Sequence, residues 1–226
     1  MNILFAGSPI SSAKVLDSLS NKAGLRIKAV ITQPDKRGKR GNKLVESQVA
    51  EKAKLLNIPV FKPTNLNDKH FKAELSSLDI EFLIVVAYGK LIPDWLIELP
   101  KITSINVHFS ILPKYRGASP IQSALLNADA ESGITIIKIN DELDSGDVYS
   151  SFVQIVDEDD DKISLENKLT ELCNANLFNV LNKINSNKLK ALPQDHSSAT
   201  YCNKVLKQDS GITFNDKSAN TVSYTH

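Results

Sequence analysis

Residues 1–20, MNILFAGSPISSAKVLDSLS, decide what kind of fold this chain can adopt. An apolar run over residues 2–6 stops at Gly7-Ser8-Pro9, and a helical pattern follows with Val15, Leu16 and Leu19 on one face. That order is strand, tight turn, helix. Ser8 suits the helix N-cap, and Pro9 suits the first turn, where a missing N–H is no loss. Gly7 sits where dinucleotide-binding folds carry a phosphate loop. The three-glycine fingerprint is missing, which argues against an NAD enzyme, and a turn that merely starts a helix reads equally well.

The alternation continues along the chain. Residues 28–32 read as a second strand, followed by a basic, glycine-containing loop, a helix over 47–56 and a short strand at Val60-Phe61. Residues 82–87 are continuously apolar, as expected of a strand covered on both faces. Residues 103–108, 133–139 and 148–156 read as strands, 120–126 as a helix, and 164–184 as a long amphipathic helix after an acidic turn at 157–161. Strands alternating with helices predict an α/β fold with a doubly wound, mostly parallel sheet. There is no internal repeat. The domain is expected to span residues 1–187, with the polar, irregular stretch 188–226 as a linker.

Composition sets the outer bounds. With 42% hydrophobic and 23% charged residues in 226, the chain resembles a soluble globular protein, and no apolar run approaches a membrane span. The first residues enter the apolar run at once, leaving no room for a signal peptide, so a cytoplasmic location is expected. Cys173 and Cys202 lie far apart without C-x-x-C spacing, which argues against a thiolate metal site and a disulfide framework; both thiols are expected to be reduced and inert. A net charge of +1 gives no global attraction for a polyanion, so any nucleic-acid signal must be local. Lys36, Arg37, Lys39, Arg40 and Lys43 crowd one stretch with Gly38 and Gly41. They suit either a solvated loop or a loop that contacts phosphates.

Asn106 and His108 lie two apart on an expected strand, so both project from one face and can meet one substrate atom. The strand ends at once in Ser110-Ile111-Leu112-Pro113, placing the pair at its carboxyl end, where open α/β sheets bind ligands. A histidine satisfied by a neighbouring carbonyl is the plainer alternative. Asp144 stands in Leu143-Asp144-Ser145-Gly146-Asp147, which on chemistry alone is an ordinary turn.

Ser110-Ile111-Leu112-Pro113-Lys114-Tyr115-Arg116-Gly117 resembles the signature of the folate-dependent formyltransferase family, with Asn106 and His108 at its catalytic Asn and His. The 143–147 string matches the segment carrying the family's catalytic Asp, 36 residues after the His. Residues 5–9, 32–35, 40–44, 86–89 and 117–122 are similar to the methionyl-tRNA formyltransferase branch, as are Pro193-Gln194-Asp195 and Ala199-Thr200-Tyr201. The resemblance runs from Met1 to about Phe214. Asn140-Asp141-Glu142 departs from the family's usual Asp-x-Gly.

The resemblance implies a Rossmann-like catalytic domain that moves a formyl group from 10-formyltetrahydrofolate to the amine of initiator methionyl-tRNA, for translation initiation. It implies Asn106, His108 and Asp144 as the catalytic trio, without a metal. Folate contacts are implied at Ala87, Tyr88, Gly89, Lys90 and Leu91, at Ser110, Ile111, Leu112 and Pro113, and at Asn140, Asp141, Glu142 and Leu143. Lys36, Arg37, Lys39, Arg40 and Lys43 would meet tRNA. A monomer is expected. The family's second, barrel-like tRNA-binding domain is absent from these residues, so the chain is expected to be truncated or to carry a non-native end. Two other functions stay open: a sibling formyltransferase acting on a nucleotide-sugar or ribonucleotide amine, and a non-catalytic folate- or RNA-binding remnant.

Overall fold

The structure, a computed structural model, describes residues 1–37 and 44–206. Lys39, Arg40, Lys43 and the stretch beyond 206 lie outside the described residues. In chain order the elements are β1 (Asn2–Gly7), α1 (Ile10–Ser20), β2 (Arg26–Ile31), β3 (Lys36–Arg37), β4 (Leu44–Val45), α2 (Gln48–Leu55), β5 (Val60–Phe61), α3 (Lys69–Ser76) and β6 (Phe82–Val86). They continue with α4 (Asp94–Ile97), β7 (Thr103–His108), β8 (Arg116–Gly117), α5 (Pro120–Leu126), β9 (Glu131–Lys138), β10 (Val148–Ile155), α6 (Lys162–Asn185) and β11 (Tyr201–Cys202).

Seven strands form one sheet in the order β10-β9-β7-β6-β1-β2-β5. The five from β7 to β5 run parallel, while β9 and β10 are antiparallel additions, so the expected doubly wound, mostly parallel sheet is what the chain builds. Alternation within β1 shows why both faces need cover. Ile3 and Phe5 join α1, α2, α5 and α6 in one core, whereas Leu4 and Ala6 join α3 and α4 in the other. Every residue of β6 is buried, in keeping with a central strand sandwiched by helices.

The winding reverses beside β1. The chain first moves outward through β2 to β5, then α3 carries it back across β1 to β6 and on to β7. The carboxyl ends of β1 and β6 therefore diverge into loops on opposite sides, the place where such sheets open a crevice.

Three expectations change. Ser8 does not cap α1, because the helix starts one residue later, with Pro9 at the cap and Ala13 N–H donating to the Pro9 carbonyl. The Ser8 hydroxyl instead donates to the Tyr88 carbonyl at 3.3 Å and accepts from the Gln33 N–H at 3.3 Å, tying the turns after β1, β2 and β6 together. The basic stretch is not loop throughout, since Lys36–Arg37 pairs antiparallel with Leu44–Val45 as the base of a hairpin. Beyond Asn187 the stretch read as a linker lies against the domain. Leu192 pairs with Val148, Gln194 is buried, and β11 pairs in parallel with β8.

Candidate active site

β7 delivers the first two site residues. Ile105 and Val107 point into the larger core, so the alternate positions Asn106 and His108 share the opposite face. Asp144 arrives from the connection between β9 and β10. β9 runs past β7 with Lys138 opposite Ile105, and the following turn brings the Asp144 carboxylate back to Asn106.

The three side chains meet. Asn106 Nδ2 donates to Asp144 Oδ1 at 3.1 Å, and His108 Nδ1 lies 3.5 Å from Asp144 Oδ2. The Gly117 N–H donates to that same Oδ2 at 2.8 Å. The His108 and Asp144 side chains are only 6% and 8% exposed, so the contacts form in a water-poor setting where they are stronger than at a surface. His108 Nε2 is 2.8 Å from the Tyr115 carbonyl. Acceptors thus face both ring nitrogens, and a ring carrying both protons donates to each. The plainer alternative weighed for His108, a bond to a neighbouring carbonyl, is therefore present alongside the carboxylate contact.

The turns that hold these groups are held in their own right. Asp144 and Tyr115 adopt left-handed φ values of 52° and 61°, a region that non-glycine residues occupy only when their surroundings demand it. Thr135 Oγ1 accepts from the Leu112 N–H at 3.0 Å and donates to the Ser110 carbonyl at 2.7 Å, fixing the 110–113 segment beneath the site. Gly117, at φ 124°, is required on two counts: a side chain is strained there, and a Cβ would sit 2.2 Å from the Cys202 carbonyl oxygen.

The structure separates the residues expected to line a folate site into two kinds. Ala87, Gly89 and Leu91 after β6, together with Asn140, Asp141, Glu142 and Leu143 before Asp144, are exposed. Tyr88, Ser110 and Leu112 are buried supports, and Ile111 and Pro113 are half-buried. Lys90 Nζ donates to the Pro63 and Thr64 carbonyls. The Tyr88 carbonyl accepts from Gln33 Nε2 at 2.9 Å as well as from Ser8, which stiffens the turn in which Ala87 and Gly89 both have positive φ. A cleft of about 330 Å³ lined by Lys90 to Pro93 and 64–67 adjoins this turn. A second, of about 460 Å³, lies between Ser8, Gln33, Ser47 and the hairpin residues Lys36 and Arg37. Neither is lined by the trio.

Among the described residues no cluster of three or more His, Cys, Asp or Glu side chains is arranged to hold a metal ion. No helix among them is long and apolar enough to cross a membrane. Burial pushes the Cys173 thiol up to about 12 and also raises that of Cys202, so both stay protonated near neutrality. Residues missed from the sequence as contributors to the site are Tyr115, Arg116, Gly117, Gln194 and Thr200. Their signal was the family resemblance of 110–122 and 193–201, in which no role attached to them.

Residues 1–181 match the family described as formyl transferase. The methionyl-tRNA formyltransferase of Sulfurihydrogenibium sp. (strain YO3AOP1) is 41% identical over 215 residues, covering 95% of this chain and 69% of that protein. That of Kosmotoga olearia is 42% identical over 209 residues, covering 92% of this chain and 67% of its own length. In fold, the chain is similar to the N-formyltransferase of Helicobacter canadensis in complex with folinic acid and dTDP-3-aminofucose, with a TM-score of 0.73 at 19% identity over 99% of this chain and 78% of that one. A match across most of its length, and an Asn, a His and an Asp brought together at the carboxyl end of a central strand, lead to one conclusion: this chain belongs to the formyl transferase family.

Proposed function

We propose that this chain transfers the formyl group of 10-formyltetrahydrofolate to the α-amine of initiator methionyl-tRNA, the step that prepares the charged tRNA for translation initiation. The observation that carries it is the convergence of Asn106 and His108 on the two oxygens of Asp144. Identity near 40% to methionyl-tRNA formyltransferases supports this acceptor over a sugar or ribonucleotide amine.

In this reaction the amine nitrogen forms a bond to the formyl carbon, the formyl oxygen gains negative charge, and the bond from that carbon to the folate nitrogen breaks. One proton leaves the amine and one reaches the folate nitrogen. Asn106 uses one amide hydrogen on Asp144 and has a second to donate to the charged oxygen. His108 is gripped firmly at Nε2 and loosely at Nδ1, where 3.5 Å is at the limit of a hydrogen bond, so Nδ1–H is the donor able to turn to the substrate. Asp144 stabilises the charged imidazole and orders the water or amine that passes the proton. The exposed residues Ala87, Gly89 and Leu91 and the stretch 140–143 would hold the pterin through their backbone. Lys36, Arg37, Lys39, Arg40 and Lys43 would contact the tRNA acceptor end. One chain supplies the whole trio, in keeping with a monomer, and a charged tRNA as substrate supports a cytoplasmic location.

The test is to incubate the chain with 10-formyltetrahydrofolate and charged initiator tRNA, hydrolyse the ester and look for formyl-methionine. Formyl-methionine is expected, with no product from a dTDP-amino sugar or phosphoribosylglycinamide. Product from either of those alone would refute the acceptor.

A further inference from the structure

The trio is not held by its own contacts alone. His108 rests on the Tyr115 carbonyl and Asp144 rests on the Gly117 N–H, so the reacting groups take their positions from the 115–117 turn. That turn is in turn gripped by the segment after α6. The Arg116 N–H donates to the Thr200 carbonyl, the Tyr115 N–H donates to Thr200 Oγ1 at 2.8 Å, and the Ala118 N–H donates to the Cys202 carbonyl.

Gln194 joins the two halves of this arrangement. It is 7% exposed, and each atom of its amide is used twice. Nε2 donates to the carbonyls of Asp144, at 2.8 Å, and Gly146, at 2.7 Å. Oε1 accepts from Arg116 Nε at 3.2 Å and Nη2 at 2.8 Å. Arg116 is itself 2% exposed, and among the described residues no carboxylate pairs with it; His196 Nδ1 and the Tyr201 hydroxyl take its remaining bonds. A buried cation normally requires a carboxylate, so four hydrogen bonds to three neutral acceptor atoms indicate a site built for this geometry. The left-handed backbone at Asp144 is stabilised by the bond that Gln194 makes to the carbonyl of that same residue.

We propose that Gln194 is a positioning residue for the formyl transfer, clamping the Asp144 backbone to Arg116 so that the carboxylate faces Asn106 and His108. This rests on the function proposed above. Gln194 touches no reacting atom and acts through Asp144.

Gln194→Glu separates positioning from folding. The carboxylate keeps both bonds from Arg116 and gives it a charged partner, but it has no hydrogens for the Asp144 and Gly146 carbonyls and repels them. In the full 226-residue chain, kcat for methionyl-tRNA should fall tenfold to a hundredfold, on the order of the loss from a displacement of about an ångström. KM for each substrate should stay within about twofold, and the melting temperature should be held. The ¹⁵N shifts of the His108 ring, identified by their loss in His108→Asn, should move, because Asp144 has withdrawn. Gln194→Ala, which strands Arg116, should lower the melting temperature as well. A parental kcat in Gln194→Glu, a loss of kcat matched by a rise in KM and a fall in melting temperature, or an unmoved His108 signal would each overturn the proposal. If the parent chain formylates no methionyl-tRNA, the proposed function fails instead, and the His108 signal still decides the role of Gln194.

Discussion

One carboxylate organises the chemistry. Asp144 accepts from a side-chain amide and a backbone N–H and faces an imidazole, with its own carbonyl bound by Gln194. Asp144→Asn keeps the shape but must point an NH₂ group at either Asn106 or Gly117, both donors. Turnover is expected to fall by about 10²–10⁴-fold, the usual worth of acid–base catalysis, while the melting temperature changes little. Asn106→Ala and His108→Ala should behave alike, and double variants should lose less than the product of the single losses. Steady-state kinetics beside thermal melts checks this, and a variant with near-parental turnover would remove its residue from the mechanism. Asn106 and His108 were legible as a pair because a strand has period two. Asp144 was not, since Asp-Ser-Gly-Asp is turn chemistry wherever it occurs, and only the resemblance singled it out.

Among the elements, α6 shows where sequence periodicity is strongest. Leu165, Leu169, Cys173, Leu177, Val180, Leu181 and Ile184 recur at helical spacing and are all buried. Leu169→Ala should cost about 2–5 kcal/mol, read as a lower denaturant midpoint, because the helix packs against α1 and the sheet and the site cannot collapse fully. At the start of α6, the Ser164 and Ile163 N–H groups hold the Asp161 carboxyl below its ordinary value of 3.8. That capping contribution is complete above 3.8 and disappears as pH falls through the lowered value. Acid titration of Asp161→Asn should therefore show a shallower loss of stability than the parent in that window. Other elements left a fainter trace. α3 buries only Phe71 and Leu75, too few apolar positions to announce a helix, and it owes its start to Asp68, whose side chain accepts from the His70 and Phe71 N–H groups. The β3–β4 hairpin is two residues a side, so its pattern is shorter than any period. Lys62 anchors its base, reaching Asp35 at 2.6 Å and Glu46 at 3.0 Å.

For the whole molecule, a net charge of +1 leaves tRNA attraction to local patches, and the 36–43 stretch is the densest. Replacing Lys36, Arg37, Lys39, Arg40 and Lys43 with Ala should weaken tRNA binding and lower its log–log salt slope by about 0.7–0.9 for each phosphate no longer neutralised. Folate binding should be unaltered. Filter binding across a salt series decides it, and an unchanged slope would remove these residues from tRNA contact. The sequence by itself determined the layered α/β architecture, because apolar runs with period two or buried on both faces, alternating with helical periods, admit few other packings. It also determined that Asn106 and His108 share a face at a strand end. Only the tertiary structure decided that Asp144 closes on them, that Ser8 bonds across strand ends rather than capping α1, and that Gln194 and Thr200 lock the 115–117 turn. Those contacts join residues from 25 to 85 positions apart, and a polar side chain in a turn carries no local signal of which distant backbone group it will satisfy.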